Sequence, residues 1–213
     1  MIRIVGTIGP LLFFAAAVAV AYFTPGYDSA TQMISELGAT GADNALYFNY
    51  FGFLPNGICI TLTGFLLYQQ MKSANFPGIV AWLIMLHGIG MILATWISCD
   101  SSCTPNEPSP DQIAHNIIAA VKFPALHLAM IIFAVQLLKR GNNKPAAYWS
   151  IFAFIASGLF MLLFVGSVKS REYTGIYQRL FIGSLYIWLI AFSFNIKTVL
   201  SRQYQQQGTQ IPG

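Results

Sequence analysis

Charge is what this sequence has least of. Aspartate, glutamate, lysine and arginine make up 8% of its 213 residues, against about 25% in ordinary soluble domains. So few charges cannot cover the surface of a water-soluble globule, and the missing polar surface has to face lipid. No stretch reads as a separate soluble domain or a low-complexity segment, and the two halves share no repeat. The formal charge is +4 and the pI about 9.0, figures that in another chain would suggest a nucleic-acid binder. Here the lysines and arginines sit between apolar runs, which is a membrane-topology pattern, and nucleic acid is excluded as a partner.

What the chain has in quantity is apolar sequence, 56% of residues. Six runs, 4–23, 47–69, 77–99, 114–138, 146–168 and 177–200, are long enough to cross a hydrocarbon core, which takes about 20 helical residues. Backbone groups in lipid must be paired within their own segment, so the runs predict helices. The expected fold class is an all-α integral membrane protein, a single bundle of six transmembrane helices over 1–200 with short loops, followed by a polar tail at 201–213. Arg3, Lys72, Lys139, Arg140, Lys144, Lys197 and Arg202 flank the runs at the amino terminus, in the second and fourth loops and near the carboxyl terminus. The first and third loops have no lysine or arginine. The positive-inside rule therefore predicts both termini in the cytoplasm and places all seven acids outside. The localisation read from this is a bacterial plasma membrane with acidic loops on its outer face. Arg3 with Ala19-Val20-Ala21 also permits a cleaved signal peptide, although the apolar run is longer than a usual signal core.

Two polar loops concentrate the reactive side chains. In the first, a Pro25-Gly26 turn precedes a segment capped by Asp28 or Ser29 and stopped at Gly38. Met33, Ile34 and Leu37 give it one apolar edge, as for a helix lying on the membrane surface. Ser35 then reads as a nucleophile or hydrogen-bond donor, and Glu36 as an acid, base or ligand. In the third loop Cys99 and Cys103 flank Asp100. Their spacing suits a small disulfide first, free thiols second, and a metal pair third; a zinc site needs about four ligands, and Cys99, Cys103, Asp100 and His115 come in an unfamiliar spacing. No metal is expected.

The fourth run carries His115 and Lys122. Seven residues apart, they lie about 20° apart on one helix face and about 10 Å apart along its axis. Asp111-Gln112 reads as the cap of this helix. Ionisable groups inside spans meet a partner or a wet cavity, so Lys122 is expected to face the outer loops, with Asp100 or Glu36 as its partner. Arg179, at the start of the last run, is expected to pair with the same acids or with a lipid phosphate. His87 and His127 reach similar depths on consecutive helices, which raises haem ligation between them as the alternative to no cofactor. Pro10, Pro55 and Pro124 fall inside runs and are expected to break helices two and four most clearly.

Four elements of the sequence go together: Y-D-S-A-T-Q-M-I-S-E-L-G-A at 27–39, C-D-S-S-C at 99–103, His115, and G-I-Y-Q-R at 175–179 followed by Trp188. On these the chain resembles the six-span membrane family called domain of unknown function 998. The resemblance implies the six-helix fold and a role for Ser35, Glu36, Asp100, His115 and Arg179, but no activity. A looser likeness, to multi-span lipid-modifying hydrolases that set serine, aspartate and several histidines around a metal, breaks down because only His115 lies at the outer face.

Together these features predict an outward-facing polar pocket lined by Ser35, Glu36, Asp100, His115, Lys122 and Arg179. It would act on or bind a lipid head group, with His115 transferring protons, Asp100 orienting it, and Lys122 and Arg179 holding an anion. The alternatives are a small transporter or channel using the broken helices, and a structural or partner-binding role. Membrane lipids are the expected partners; neither the oligomeric state nor whether the chain is an enzyme can be read from sequence.

Overall fold

A computed structural model describes residues 1–141 and 143–208, with side chains to residue 201. Every regular element among them is helical. Helix α1 spans Ile2–Phe23, α2 spans Ala45–Ser73, α3 spans Ile79–Leu93, α4 spans Pro110–Lys139, α5 spans Lys144–Ser167 and α6 spans Thr174–Gly208. Each helix packs against the next, and α6 returns to α1 to close the ring. Five of the six are long and apolar enough to cross a membrane. Large apolar side chains such as Leu11, Phe51, Trp82, Phe152, Leu162 and Ile187 stay exposed around the outside, as a lipid-facing belt requires. The tail expected at 201–213 begins instead as a continuation of α6 to Gly208; residues 209–213 lie outside the described residues.

Helix α3 is the short member. Its 15 residues rise about 22 Å, less than the roughly 30 Å hydrocarbon core. The run expected to stay helical to Cys99 leaves the helix at Leu93 because the following backbone is used elsewhere. Turn hydrogen bonds from Thr95, Trp96 and Ile97 close the helix. Beyond them the Ile97 carbonyl accepts from His115 Nδ1 at 2.8 Å, and the Cys99 carbonyl accepts from Thr40 N–H at 2.8 Å. Glycine lets α3 lie against its neighbours: a Cβ on Gly88 would stand 2.5 Å from the backbone nitrogen of Thr61 in α2, closer than any side chain allows.

Helix α2 is broken one turn before Pro55. Residues Asn49–Phe53 form a π-helical turn, closed by Leu54 N–H on the Asn49 carbonyl. Proline has no N–H to give and crowds the carbonyl four residues back, so the turn widens upstream of it. Pro124, expected to break the fourth helix, sits inside α4 without interrupting it: the helix runs unbroken from Pro110 to Lys139. The start of α4 also differs from expectation. Its cap is Ser109, whose hydroxyl accepts the Gln112 N–H at 3.1 Å, with Pro110 in the first turn, where a missing N–H costs nothing. Asp111-Gln112 lies inside the helix.

The loops 24–44, 94–109 and 168–173 gather at one end of the bundle, the loop end. The first was expected to carry a helix lying on the membrane surface. It folds inward: Ile34–Gly38 is a single 3₁₀ turn in which Met33, Ile34 and Leu37 are buried in the protein interior. Burying three apolar side chains stabilises more than laying one edge on lipid, and Glu36 is carried inside with them.

Candidate functional site

A cavity of about 480 Å³ lies between α4, α5 and α6 at the loop end, where α4 and α6 scarcely touch. Most of its wall is apolar, from Phe13, Phe53, Met91, Phe123, Met161, Phe164 and Phe181; its polar wall groups come from Ser35, Thr104, Gln112, His115, Asn116, Lys122 and Gln178. Its volume falls within the range of small-molecule sites, about 300–1,000 Å³.

Lys122 is part of the floor. The residue is 2% exposed. Gly90 on α3 makes room for its stem, since a Cβ there would sit 2.6 Å from the lysine Cβ. The ammonium lies over the rings of Phe53 at 5.3 Å and Phe123 at 5.1 Å. Among the described residues no acceptor or carboxylate meets it: the one ion pair there is Arg171 with Glu36. Phe53 comes from the end of the π-turn, and Phe123 from the residue before Pro124 in the uninterrupted helix α4. Beneath the floor, His87 donates from Nδ1 to the Lys122 carbonyl at 2.8 Å. Its Nε2 lies 3.4 Å from the Tyr186 hydroxyl, which accepts from Asn56 at 2.7 Å. This chain of buried hydrogen bonds ties α4, α3, α6 and α2 together.

His115 lines the cavity two helical turns nearer the start of α4. The group at 2.8 Å from its Nδ1 is the Ile97 carbonyl, which only accepts. In the neutral ring Nδ1 therefore carries the proton and Nε2 a lone pair. Among the described residues Nε2 has no partner. Asp100, expected to orient His115, is engaged elsewhere: its carboxylate accepts from the Ser109 hydroxyl at 2.6 Å and the Ser109 N–H at 3.0 Å. These two bonds hold its carboxyl below the usual range and brace the start of α4. Cys99 and Cys103 on either side form a disulfide, with Cα atoms 4.9 Å apart.

The roof is the inturned first loop. The ion pair expected for Arg179 belongs to Arg171, whose guanidinium meets Glu36 Oε2 at 2.9 Å, while Glu36 Oε1 accepts the Met33 N–H at 2.8 Å. Arg171 reaches Glu36 from a tight turn in which it adopts φ 63°, with its N–H on the Ser167 carbonyl at 2.9 Å. Arg179 meets neither Asp100 nor Glu36. It donates to the Gln32 carbonyl at 3.0 Å and the Tyr27 hydroxyl at 2.7 Å; burial raises the Tyr27 phenol above its ordinary range, with Arg179 opposing the shift. Gln178 accepts from Ile34 N–H at 2.6 Å, and Asn49 donates to the Gly38 carbonyl at 3.1 Å.

Of the six residues expected to share a pocket, the structure thus brings Ser35, His115 and Lys122 to one cavity. Glu36 and Arg179 are built into its roof and Asp100 into the cap of α4. His87 and His127 turn to different neighbours: His127 Nδ1 lies 2.9 Å from the Ser157 hydroxyl on α5, while both His87 nitrogens are engaged as described. Sequence reasoning passed over Arg171 and Gly90, read Gln112 only as part of a helix cap, and met Gln178 only inside the 175–179 motif. The two basic residues Lys169 and Arg171 in the short stretch between the last two apolar runs were a signal for the first of these.

Six apolar helices, five of full membrane-crossing length, define a multi-pass integral membrane protein whose outer belt contacts lipid. The chain belongs to the family described as protein of unknown function DUF998, whose model matches residues 7–195. No curated protein and no solved structure matches it.

Proposed function

We propose that the cavity binds an anionic amphiphile, with Lys122 holding the anionic group and the crevice between α4 and α5 taking the apolar chain. The observation that carries this reading is the buried Lys122 ammonium, which faces a cavity without a counter-charge. A buried charge is costly unless paired, and two aromatic faces compensate only part of that cost. A ligand anion would supply the missing partner.

Access favours an amphiphile over a soluble anion. From above, the cavity is covered by the clasped first loop. On its side, Asn116, Ala120 and Pro124 of α4 and Val165 of α5 line it and are also exposed. These α4 residues fall at intervals of four, along one helix face, so the opening runs down the lipid-facing side of the bundle. With the loop end outside, as the charge distribution reads, the ligand comes from the outer leaflet.

The test uses the purified, delipidated chain with phosphatidylglycerol or with glycerol 3-phosphate, read by native mass spectrometry. The lipid should be retained by the parent and lost from Lys122→Met by tenfold or more, with no binding of the soluble phosphate. Equal retention by Lys122→Met overturns the reading, and tight binding of glycerol 3-phosphate alone removes the lipid from it.

A transport reading has one observation in its favour: Phe53, one of the two rings over Lys122, closes the π-turn that interrupts α2. It requires ligand to cross the bilayer, so leaflet exchange of fluorescent lipid in vesicles carrying the protein separates it from binding alone.

A further inference from the structure

We infer that the head group recognised by this cavity carries hydroxyls beside its anion, the chemistry of a phosphate esterified to a glycerol or another short polyol. The inference rests on the reading of Lys122 given above and adds a second point of recognition to it.

The unmatched hydrogen-bonding groups of the cavity carry the argument. Lys122 offers donors only. His115, with its Nδ1 proton committed to the Ile97 carbonyl, offers at Nε2 an acceptor only. Asn116 receives the Gln112 side-chain N–H on its Oδ1 at 2.9 Å, which leaves its amide N–H groups to donate. Ser35 contributes a hydroxyl with no partner among the described residues, able to do both. A donor-only floor therefore faces a region holding an acceptor, donors and a two-way hydroxyl.

Phosphate oxygens satisfy the first and cannot satisfy the acceptor at His115. A quaternary ammonium has no N–H for it either. Hydroxyl groups both donate and accept, and they match this mixed set. An acceptor left unpaired in a closed site costs affinity, which is how such sites discriminate between otherwise similar ligands.

The spacing fits. The Cα atoms of His115 and Lys122 are about 10 Å apart along α4, and the lysine side chain leans back toward the helix start. A phosphate with a short polyol attached would lie between the ammonium and the imidazole. The apolar chain then leaves sideways past Ala120 and Val165.

Phosphatidylglycerol and phosphatidylmethanol of the same acyl chains carry the same single charge and differ in the hydroxyls. Titrated into the delipidated full chain, phosphatidylglycerol should bind about fivefold tighter, the worth of one good hydrogen bond. His115→Asn keeps a donor for the Ile97 carbonyl and removes the Nε2 acceptor. It should show no more than a twofold preference between the two lipids, while melting within about 2 °C of the parent.

A parent that binds both lipids equally overturns the inference without any variant. So does a preference that survives His115→Asn. If Lys122→Met retains both lipids, the reading of Lys122 fails instead, so the two failures are distinguishable.

Discussion

Methionine has nearly the length of lysine and no charge, so Lys122→Met removes the buried ammonium while leaving the stem beside Gly90 packed. A lysine near the centre of a span costs about 2.5–3.5 kcal/mol on insertion scales. Its two ring contacts, at 5.3 and 5.1 Å, return about 0.5–1 kcal/mol each. With no acceptor to add to that, the variant should be more stable than the parent by about 1–2 kcal/mol, which for 213 residues corresponds to about 3–6 °C in Tm. The assay is intrinsic tryptophan fluorescence on heating, in detergent, after exhaustive delipidation. Adding phosphatidylglycerol should reverse the order, because a ligand at a hundred times its Kd stabilises the parent by about 2.7 kcal/mol and leaves the variant unmoved. A delipidated Lys122→Met that melts at or below the parent's temperature would mean that the ammonium is already satisfied, and the case for a missing anion would collapse.

Three other expectations concern the framework of the site. Arg171→Ala leaves the Glu36 carboxylate buried with the Met33 N–H and the Gln32 amide; the Arg171 side chain is 32% exposed, so the loss should be about 2 kcal/mol, below that of a fully buried pair. Adding Glu36→Gln to it should cost at least 1 kcal/mol less than the two single losses predict, as a double-mutant cycle on thermal melts will show. Gly90→Ala should lower lipid affinity with the charge intact, because its Cβ meets the near end of the lysine stem; its packing cost is about 1–3 kcal/mol, and unchanged retention in native mass spectrometry would refute the placement. Asp100 has a folded pKa below its unfolded value, so its contribution is present above about pH 4 and fades as pH falls through the folded value; Asp100→Ala should melt below the parent at pH 7, and the difference should narrow as the pH is taken below about 4.

How much of this could be read from the residues depends on the range of the interaction involved. The spans were legible because lipid imposes one rule on every backbone group, and a long apolar run satisfies it in only one way. His115 and Lys122 were legible as partners on one face because helical geometry fixes neighbours seven residues apart. The end of α3 was not: Ile97 and Cys99 look like more of the same apolar run, and only their bonds to His115 and Thr40 show why the helix stops. Arg171 and Glu36 lie 135 residues apart. Charge counting could say that bases and acids share the loop end, but not that Arg171 would reach Glu36 while Arg179 turned to a carbonyl and a phenol. The inward fold of the first loop was missed for the same reason. Met33, Ile34 and Leu37 make a convincing surface edge until one knows that an interior waits for them.

The clasp over the first loop has a consequence for biosynthesis. Glu36 and Tyr27 find their arginine partners 135 and 152 residues later in the chain. At ribosomal rates of about 5–20 residues per second, that is a wait of about 7 to 30 s. Throughout it, the segment has neither its counter-charge nor the α6 groups that accept and donate to its backbone. The nascent protein therefore passes through a stage with five helices made, the lysine in place and the top of the cavity uncovered. Closing it is a task left to Arg171 and the last helix after it, and a chain stalled before Arg171 would display a buried-type glutamate and a bare lysine to whatever waits at the membrane.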